Sequence, residues 1–460
     1  MNSSILFDRT GIPFPVHAVL ISHRGELIQE DYQAPCSKDS LHRMFSVTKG
    51  FTALAVTALA AEGKLQLSDP IIRYFPDYTP ANPHPWLAEM TIQDMMDMRT
   101  CHTSTTYKLN PEEHWVRSFF ITPPSHRSGQ IFKYDTGSAH ILAELVKRIS
   151  GLGVLDYLRR IYLDAIGFSS EAWILKDPFG TEMGGSGLLA HPRDIMVTAR
   201  FLMDLYKGTW QTTYGYLIRS PYDTAFFERY RELFRQCVSF RSSTMHEGKT
   251  LDECQGYGSQ FWMIRNGFMM YGMGGQYAAF YPQEDLIIVT AADAQPLQGG
   301  TQIILNEMNR IDSLLKDDGM HVAVSTPERP SCYGDAAALN RNLSRLAGSY
   351  RFLENAQGFI SCRISPEEIV LVHKDASFRF PVSPDEAVMI VDPKYRQTLY
   401  VRSCALEEGG IYQYAQIYSE YLGSIRILLQ GDGNRLTVYL RKIEEYVFAE
   451  MNGFLEAERE

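Results

Sequence analysis

A serine and a lysine three residues apart open the most apolar helix that the sequence predicts. Ser46-Val47-Thr48-Lys49 leads into a run rich in alanine, leucine and valine that ends at about residue 61. Residues three apart share a helix face, so the Ser46 hydroxyl and the Lys49 amine are expected to lie side by side. A lysine held away from water spends more time neutral and can accept the hydroxyl proton. The pair therefore predicts a serine nucleophile for acyl transfer.

The same spacing occurs a second time, at Ser313 and Lys316. Ser313 belongs to a run from about residue 303 in which apolar and charged residues recur at the intervals of an amphipathic surface helix. Ser46 instead precedes a run that is apolar on nearly every side, which predicts a buried helix at the centre of a domain. These contexts favour Ser46 as the nucleophile and Ser313 as an ordinary helix residue.

The composition is that of a globular protein with a large core. The chain has 460 residues, of which 45% are hydrophobic, and this length suffices for more than one domain. A net charge of −10 argues against nucleic acid or an anionic membrane as a partner. The first residues lack the pattern of a signal peptide and the apolar helix is too short to span a bilayer, so we expect a cytoplasmic protein.

Cysteine and histidine usage gives no sign of a metal. The seven cysteines are scattered without a Cys-x-x-Cys pair, and the twelve histidines lack the close spacing of metal ligands. The sequence therefore predicts neither a disulfide framework nor a metal, and it predicts no cofactor.

Two hairpins are predicted at opposite ends of the first 300 residues. Residues 17–22 and 26–32 read as strands joined by a turn at 23–25. Asn266-Gly267 lies between two apolar runs and predicts a tight turn with two positive φ angles. Further strand patterns follow up to residue 292.

A polar loop, residues 101–111, follows a helix that Thr91 is expected to cap. Loops that leave a rigid helix often border active sites, so His102 and Tyr107 are candidate substrate contacts. Farther along, Tyr134 occupies a turn before a helix that Gly151 closes, where a side chain can serve a pocket.

The composition and hydrophobic pattern of the sequence change after residue 320. Residues 321–338 contain prolines and polar residues typical of a linker, and short alternating strands follow from 339 to 460. We predict a catalytic domain over 1–320, with a helical insertion over about 70–190, and a C-terminal antiparallel β domain without a catalytic constellation.

Three elements in this order resemble the serine β-lactamase and penicillin-binding-protein superfamily. They are Ser46-Val47-Thr48-Lys49, Tyr134-Asp135-Thr136 and Gly272-Met273-Gly274-Gly275. The pattern looks closest to the class C β-lactamase-like esterases and amidases, including the 6-aminohexanoate-dimer hydrolases. The resemblance implies an α+β fold in which helices flank an antiparallel sheet, and in which the opening hairpin and the strands after residue 257 share that sheet.

The resemblance also implies roles for single residues. Ser46 attacks a carbonyl, Lys49 and Tyr134 carry its proton, and the backbone N–H groups of Ser46 and Met273 hold the oxyanion. Thr136, Gly272 and Gly274, which lie in the matching elements, are expected to border the substrate together with the loop residues Tyr107 and His102. The expected substrate is a small ester or amide, and the sequence does not indicate an oligomeric state.

Two other functions remain open at the level of sequence. One is a catalytically idle protein used for binding or regulation, which the presence of serine, lysine and tyrosine together disfavours. The other is a D-amino-acid peptidase or transpeptidase, which the appended β domain suits and the missing signal peptide does not.

Poor turnover of β-lactams is the first testable prediction. The Lys-Thr-Gly element of true β-lactamases is replaced by Met270-Tyr271-Gly272, which has no cation for the carboxylate of a penicillin. We expect cephalosporin hydrolysis, followed by ultraviolet absorbance, to be far slower than that of a dedicated β-lactamase assayed in parallel. Comparable rates would contradict the prediction that the chain is not an efficient β-lactamase.

Overall fold

The computed structural model describes residues 6–109, 112–130, 132–244, 247–294, 300–316, 336–384, 386–405, 409–418, 422–443 and 447–460. The chain divides into two compact units. One comprises Met1–Tyr32 and Cys36–Pro327, and the other comprises Gln33–Pro35 and Glu328–Glu460. Most of the predicted linker, 321–335, lies outside the described residues, and residues 336–338 belong to a helix.

The first unit is built on an antiparallel sheet. Its strands, in chain order, are β1 (Val16–His23), β2 (Glu26–Tyr32), β3 (His42–Arg43), β4 (Trp173–Ile174), β5 (Leu188–Ala190), β6 (Trp262–Ile264), β7 (Gly267–Gly272), β8 (Gln276–Tyr281) and β9 (Leu286–Ala292). Among the described residues, six strands pair in the order β2-β1-β9-β8-β7-β6, and β3, β5 and β4 form a small separate sheet. The opening hairpin and the late strands thus share one sheet, as predicted.

Helices cover both faces of this sheet. The α-helices of the first unit that the structure describes are α1 (Thr48–Ala61), α2 (Pro85–Ala88), α3 (Ile92–Met96), α4 (Trp115–Ile121), α5 (Thr136–Ser150), α6 (Val154–Leu158), α7 (Pro192–Lys207), α8 (Trp210–Tyr214), α9 (Thr224–Cys237) and α10 (Gly300–Lys316). Two predicted helix ends are confirmed. Thr91 and Asp94 form a capping box at the start of α3, and Gly151 closes α5 with φ of 76°. Among the helices that the structure describes, none is both long and apolar enough to cross a membrane.

Alternation along β1 shows how the core is divided. Ala18 and Leu20 belong to the cluster that contains α1, whereas Val19 and Ile21 belong to the cluster that contains α10. Side chains of a strand point alternately to the two faces of a sheet, so β1 is apolar along its length because both faces are covered. Helix α1 is buried at nearly every position, which fixes the residues at its start.

The hairpin at Asn266-Gly267 forms, but the predicted turn is wrong. Ile264 pairs with Gly267, so the loop residues are Arg265 and Asn266, and neither Asn266 nor Gly267 has a positive φ. Gly267 is needed in the strand for space, because a Cβ there would come 1.8 Å from the Phe280 carbonyl oxygen. The two positive φ angles occur in the opening hairpin, at Arg24 and Gly25.

The second unit is the predicted antiparallel β domain with one described helix, α11 (Ala336–Leu346). Its strands are β10 (Gly348–Phe352), β11 (Phe359–Ile364), β12 (Glu368–His373), β13 (Ala376–Pro381), β14 (Val388–Val391), β15 (Thr398–Ala405), β16 (Ile411–Tyr418), β17 (Leu422–Gly431), β18 (Arg435–Ile443) and β19 (Gly453–Arg459). As far as the structure describes them, they pair in the order β13-β12-β11-β10-β19-β18-β17-β16-β15-β14. The predicted fold class is confirmed for both units.

Candidate active site

Ser46 lies in a 3₁₀ turn, Phe45–Val47, between β3 and α1. Phe45 has φ of 44°, a left-handed conformation that is uncommon for a residue with a large side chain. The Thr48 hydroxyl donates to the Phe45 carbonyl at 2.5 Å and accepts from the Leu188 N–H at 2.9 Å, which holds the turn against β5. Phe45 and Val47 are buried and Ser46 is half-buried, so the serine is the residue of this turn that solvent or a substrate reaches.

The Lys49 amine lies 3.0 Å from the Ser46 hydroxyl oxygen. Its nitrogen is also 3.2 Å from Thr136 Oγ1 and 2.7 Å from the Gly185 carbonyl oxygen, and all three partners are oxygens of neutral groups. The residue is 1% exposed, and this burial lowers the pKa of Lys49 to about 7. A large fraction of the amine is therefore neutral at neutral pH and able to accept a proton from Ser46.

A buried carboxylate acts on this lysine from a short distance. Asp135 caps α5, accepting from the Gly137 N–H at 2.7 Å and from the Thr105 hydroxyl at 2.9 Å. It is fully buried, and its Oδ2 has no hydrogen-bond partner among the residues that the structure describes. The negative charge of Asp135 raises the pKa of Lys49 and so opposes part of the effect of burial, whereas Lys108 lowers that pKa.

Tyr134 lies over the lysine. The Lys49 nitrogen is 4.8 Å from the centroid of the Tyr134 ring, and the ring stacks on Trp262 of β6 with 5.6 Å between centroids. The Tyr134 backbone N–H donates to Glu247 Oε2 at 3.1 Å. Burial raises the pKa of Tyr134, and a hydrogen bond with Ser46 only partly offsets that rise. The phenol therefore keeps its proton at neutral pH, as a proton donor must.

The end of β7 passes beside the serine turn. A Cβ at Gly272 would come 2.1 Å from the Met44 carbonyl oxygen, so only glycine allows the strand this close. Met273 follows and is 39% exposed, and its carbonyl accepts from the Gln276 side chain at 3.2 Å. Gly274 has φ of 88°, which lets the chain turn back into β8. The residues predicted for the oxyanion hole thus lie on neighbouring elements, and their role stays a prediction.

The predicted substrate contacts His102 and Tyr107 lie in the core. His102 is 2% exposed, and its Nε2 is 2.9 Å from the Phe119 carbonyl oxygen of α4. Tyr107 stacks on Trp115 of α4 with 4.1 Å between centroids and meets His140 of α5 edge-on. Burial of both rings against these helices argues against direct contact with a substrate. Thr136 contacts Lys49, and its predicted role in substrate binding stays a prediction.

Sequence reasoning passed over four groups that hold the candidate site. Asp135 had a visible signal, since an acidic residue between Tyr134 and the start of a helix suits an N-cap. Glu247, Trp262 and the Gly185 carbonyl had none, because each reaches the site through tertiary packing of distant segments.

The chain is similar to known proteins in both sequence and fold. Residues 13–301 match the family model described as Beta-lactamase. The chain belongs to the β-lactamase family. It is 22% identical over 203 residues to the 6-aminohexanoate-dimer hydrolase of Paenarthrobacter ureafaciens, a match that covers 41% of this chain and 52% of that protein. It is also 22% identical over 238 residues to Protein flp of Staphylococcus aureus strain COL, covering 47% of this chain and 45% of that protein.

These matches span about half the length of each of the two relatives. Among solved structures, the D-amino acid amidase from Ochrobactrum anthropi SV3 superposes with a TM-score of 0.50 at 15% identity. That similarity covers 68% of this chain and 99% of the amidase, and it shows a shared fold.

The pH dependence of acylation tests the charge balance at Lys49. The neutral amine is lost as the pH falls through about 7, so the rate of Ser46 acylation should fall over the same range. Asp135→Asn removes the charge that raises this pKa and should shift the fall to lower pH. The rate of adduct formation with a fluorophosphonate, followed by intact mass at each pH, measures both.

Asp164→Asn is a matched control for this shift. Asp164 is an exposed carboxylate that pairs with Arg159, and its loss should leave the profile where it is. An Asp135→Asn profile that coincides with the unmodified one would contradict the role given to the buried carboxylate.

Proposed function

We propose that the chain is a metal-independent serine hydrolase that cleaves small esters or amides through an acyl-enzyme on Ser46. The observation that carries this proposal is the 3.0 Å contact between Ser46 Oγ and a buried Lys49 amine whose pKa is about 7. A hydroxyl beside a neutral amine can transfer its proton as it attacks a carbonyl.

The steps follow from the placement of the groups. Ser46 Oγ bonds to the carbonyl carbon of the substrate while its proton passes to Lys49. The negative oxygen of the tetrahedral intermediate accepts hydrogen bonds from the N–H groups of Ser46 and Met273, each contributing about 3 kcal/mol of transition-state stabilisation. The Tyr134 hydroxyl protonates the leaving group and is reprotonated from Lys49. Water then attacks the ester of Ser46, its proton returns through the same groups, and the acid product leaves.

Aromatic and sulfur-containing side chains near Ser46 favour an uncharged or weakly charged substrate. Tyr271, which stands in the stretch matching Lys-Thr-Gly, stacks on Tyr277 with 4.9 Å between centroids. Tyr134 stacks on Trp262, and Met273, directly after β7, is partly exposed. The names of two relatives, a 6-aminohexanoate-dimer hydrolase and a D-amino acid amidase, support amides as well as esters.

Labelling by a fluorophosphonate tests the nucleophile. We expect one adduct by intact mass on the natural protein and on Ser313→Ala, because the Ser313 hydroxyl is exposed and donates to the Asn309 carbonyl within α10. Ser46→Ala should take up no adduct, since the activated hydroxyl is gone. Labelling that persists in Ser46→Ala, or that is absent from the folded natural protein, would refute the hydrolase and favour a binding role.

Tyr134→Phe tests the proton donor. An amide releases an amine that must be protonated, whereas a p-nitrophenyl ester releases a stable anion that needs no proton. We expect hydrolysis of an anilide to fall by about 10²-fold or more and that of the p-nitrophenyl ester with the same acyl group to fall much less. Equal losses on the two substrates would assign Tyr134 to positioning alone. D-alanyl peptides in the same assay distinguish a peptidase from a general esterase.

A further inference from the structure

A second cluster of chemically active side chains lies in the first unit, outside the Ser46 site. His17 is on β1, Cys36 lies in the segment between β2 and β3, and His42 opens β3. All three are buried, with exposed fractions of 2%, 5% and 0%. One imidazole nitrogen from each histidine and the Cys36 sulfur all lie within 4.8 Å of one another. The spacing of the three residues along the chain does not form a metal-binding motif, and they are brought together by the packing of β1, β3 and the segment before β3.

The dimensions of the cluster suit a metal ion. If each pair of atoms were separated by the full 4.8 Å, an ion at the centre would lie about 2.8 Å from each atom. Metal–nitrogen and metal–sulfur bonds of about 2.0–2.3 Å would then need shifts of about 0.5–0.8 Å in each side chain. Side chains within a core make such shifts by small torsional changes, without moving the backbone.

The histidines are in the state that a metal requires. Burial lowers the pKa of His17 and of His42 to about 3 each, so both rings are neutral at physiological pH. His42 Nδ1 lies 2.9 Å from the Ser40 carbonyl oxygen, where a hydrogen on Nδ1 is donated to that oxygen. The lone pair is then on Nε2, and a backbone carbonyl of this kind commonly orients a metal-binding histidine.

The charges around the cluster are compatible with a cation bound through a thiolate. Arg9 lies close enough to Cys36 for the two groups to interact electrostatically, and a guanidinium favours a thiolate over a thiol. Asp31 pairs with Arg9 at 3.4 Å and reduces its repulsion of a second cation. His191 is the further titratable group that acts on His42.

We propose that His17, Cys36 and His42 form a structural binding site for a borderline-soft divalent cation of the Zn²⁺ type. Two imidazoles and a thiolate select such ions over Mg²⁺ and Ca²⁺, which take oxygen ligands. On binding, the hydrated ion exchanges water ligands for the Cys36 sulfur and two imidazole nitrogens, the thiol proton of Cys36 passes to solvent, and a retained water completes the four-fold coordination. The ion would join β1 to β3, which leads through Met44 into the Ser46 turn, and so stabilise the support of the nucleophile.

Metal binding to the full-length protein tests this site. Reduced, chelator-treated protein is dialysed against Zn²⁺, and bound metal is measured together with thermal unfolding. We expect one Zn²⁺ per chain and a rise in the melting temperature. Cys36→Ser should bind Zn²⁺ at least about tenfold more weakly, which is the smallest loss seen even for an outer-sphere partner. Cys404→Ser, which removes a half-buried cysteine of β15 in the second unit, should bind as the natural protein does.

Cobalt provides a readout that does not depend on a variant folding well. Co²⁺ bound to the natural protein should give the near-ultraviolet charge-transfer band of a thiolate ligand. Absence of that band, absence of stoichiometric Zn²⁺, or equal binding by folded Cys36→Ser would each overturn the proposal. Fluorophosphonate labelling of Ser46 should persist in the metal-free protein, because no step of the proposed hydrolysis uses the ion. The metal site and the hydrolase can therefore fail independently.

Discussion

Burial of the Lys49 amine is the constraint on which the rest of the candidate site depends. A pKa lowered from 10.5 to about 7 corresponds to roughly 5 kcal/mol against the charged form. The unfolded chain binds this proton more tightly, so the cost to folding is fully present below about pH 7 and disappears as the pH rises towards 10.5. The apolar length of α1 and the core around it tolerate this cost, and in return a lysine becomes a base at neutral pH.

The neighbours of Lys49 are arranged to preserve that state. Neutral oxygens from Ser46, Thr136 and Gly185 satisfy the amine without the full charge that would restore its ordinary pKa. Asp135 supplies negative charge, but one of its oxygens accepts the hydrogen bond that caps α5. Burial disfavours the charged form of each group, so it raises the pKa of Tyr134 and lowers the pKa of Lys49. Two groups with separated pKa values can then take the roles of base and acid in one site.

Patterns within short stretches of sequence predicted those parts of the site that residues close in sequence form. Ser46 and Lys49 are one helical turn apart, and the cap and the glycine of α5 could be recognised without knowing what they pack against. Position in a loop gave His102 a functional interpretation, yet its Nε2 is 2.9 Å from a backbone carbonyl in the core. The dipeptide Asn266-Gly267 is typical of a tight turn and was predicted to form one. Glycine is required at position 267 for a different reason, because there is no space for a Cβ beside the Phe280 carbonyl oxygen. Contacts between distant segments, such as Glu247 to Tyr134 or His17 to Cys36 and His42, leave no periodic signal.

The order of the main sheet also has a consequence for how the chain folds. β1 is buried on both faces, and its partner opposite β2 is β9, which is separated from it by most of the first unit. At about 5–20 residues per second, synthesis reaches β9 roughly a quarter of a minute to a minute after β1. During that interval an apolar strand has one unpaired edge, the kind of surface that invites association with other chains. Closing so long a loop also slows refolding, because the entropy of loop closure is lost before the contacts between β1 and β9 form.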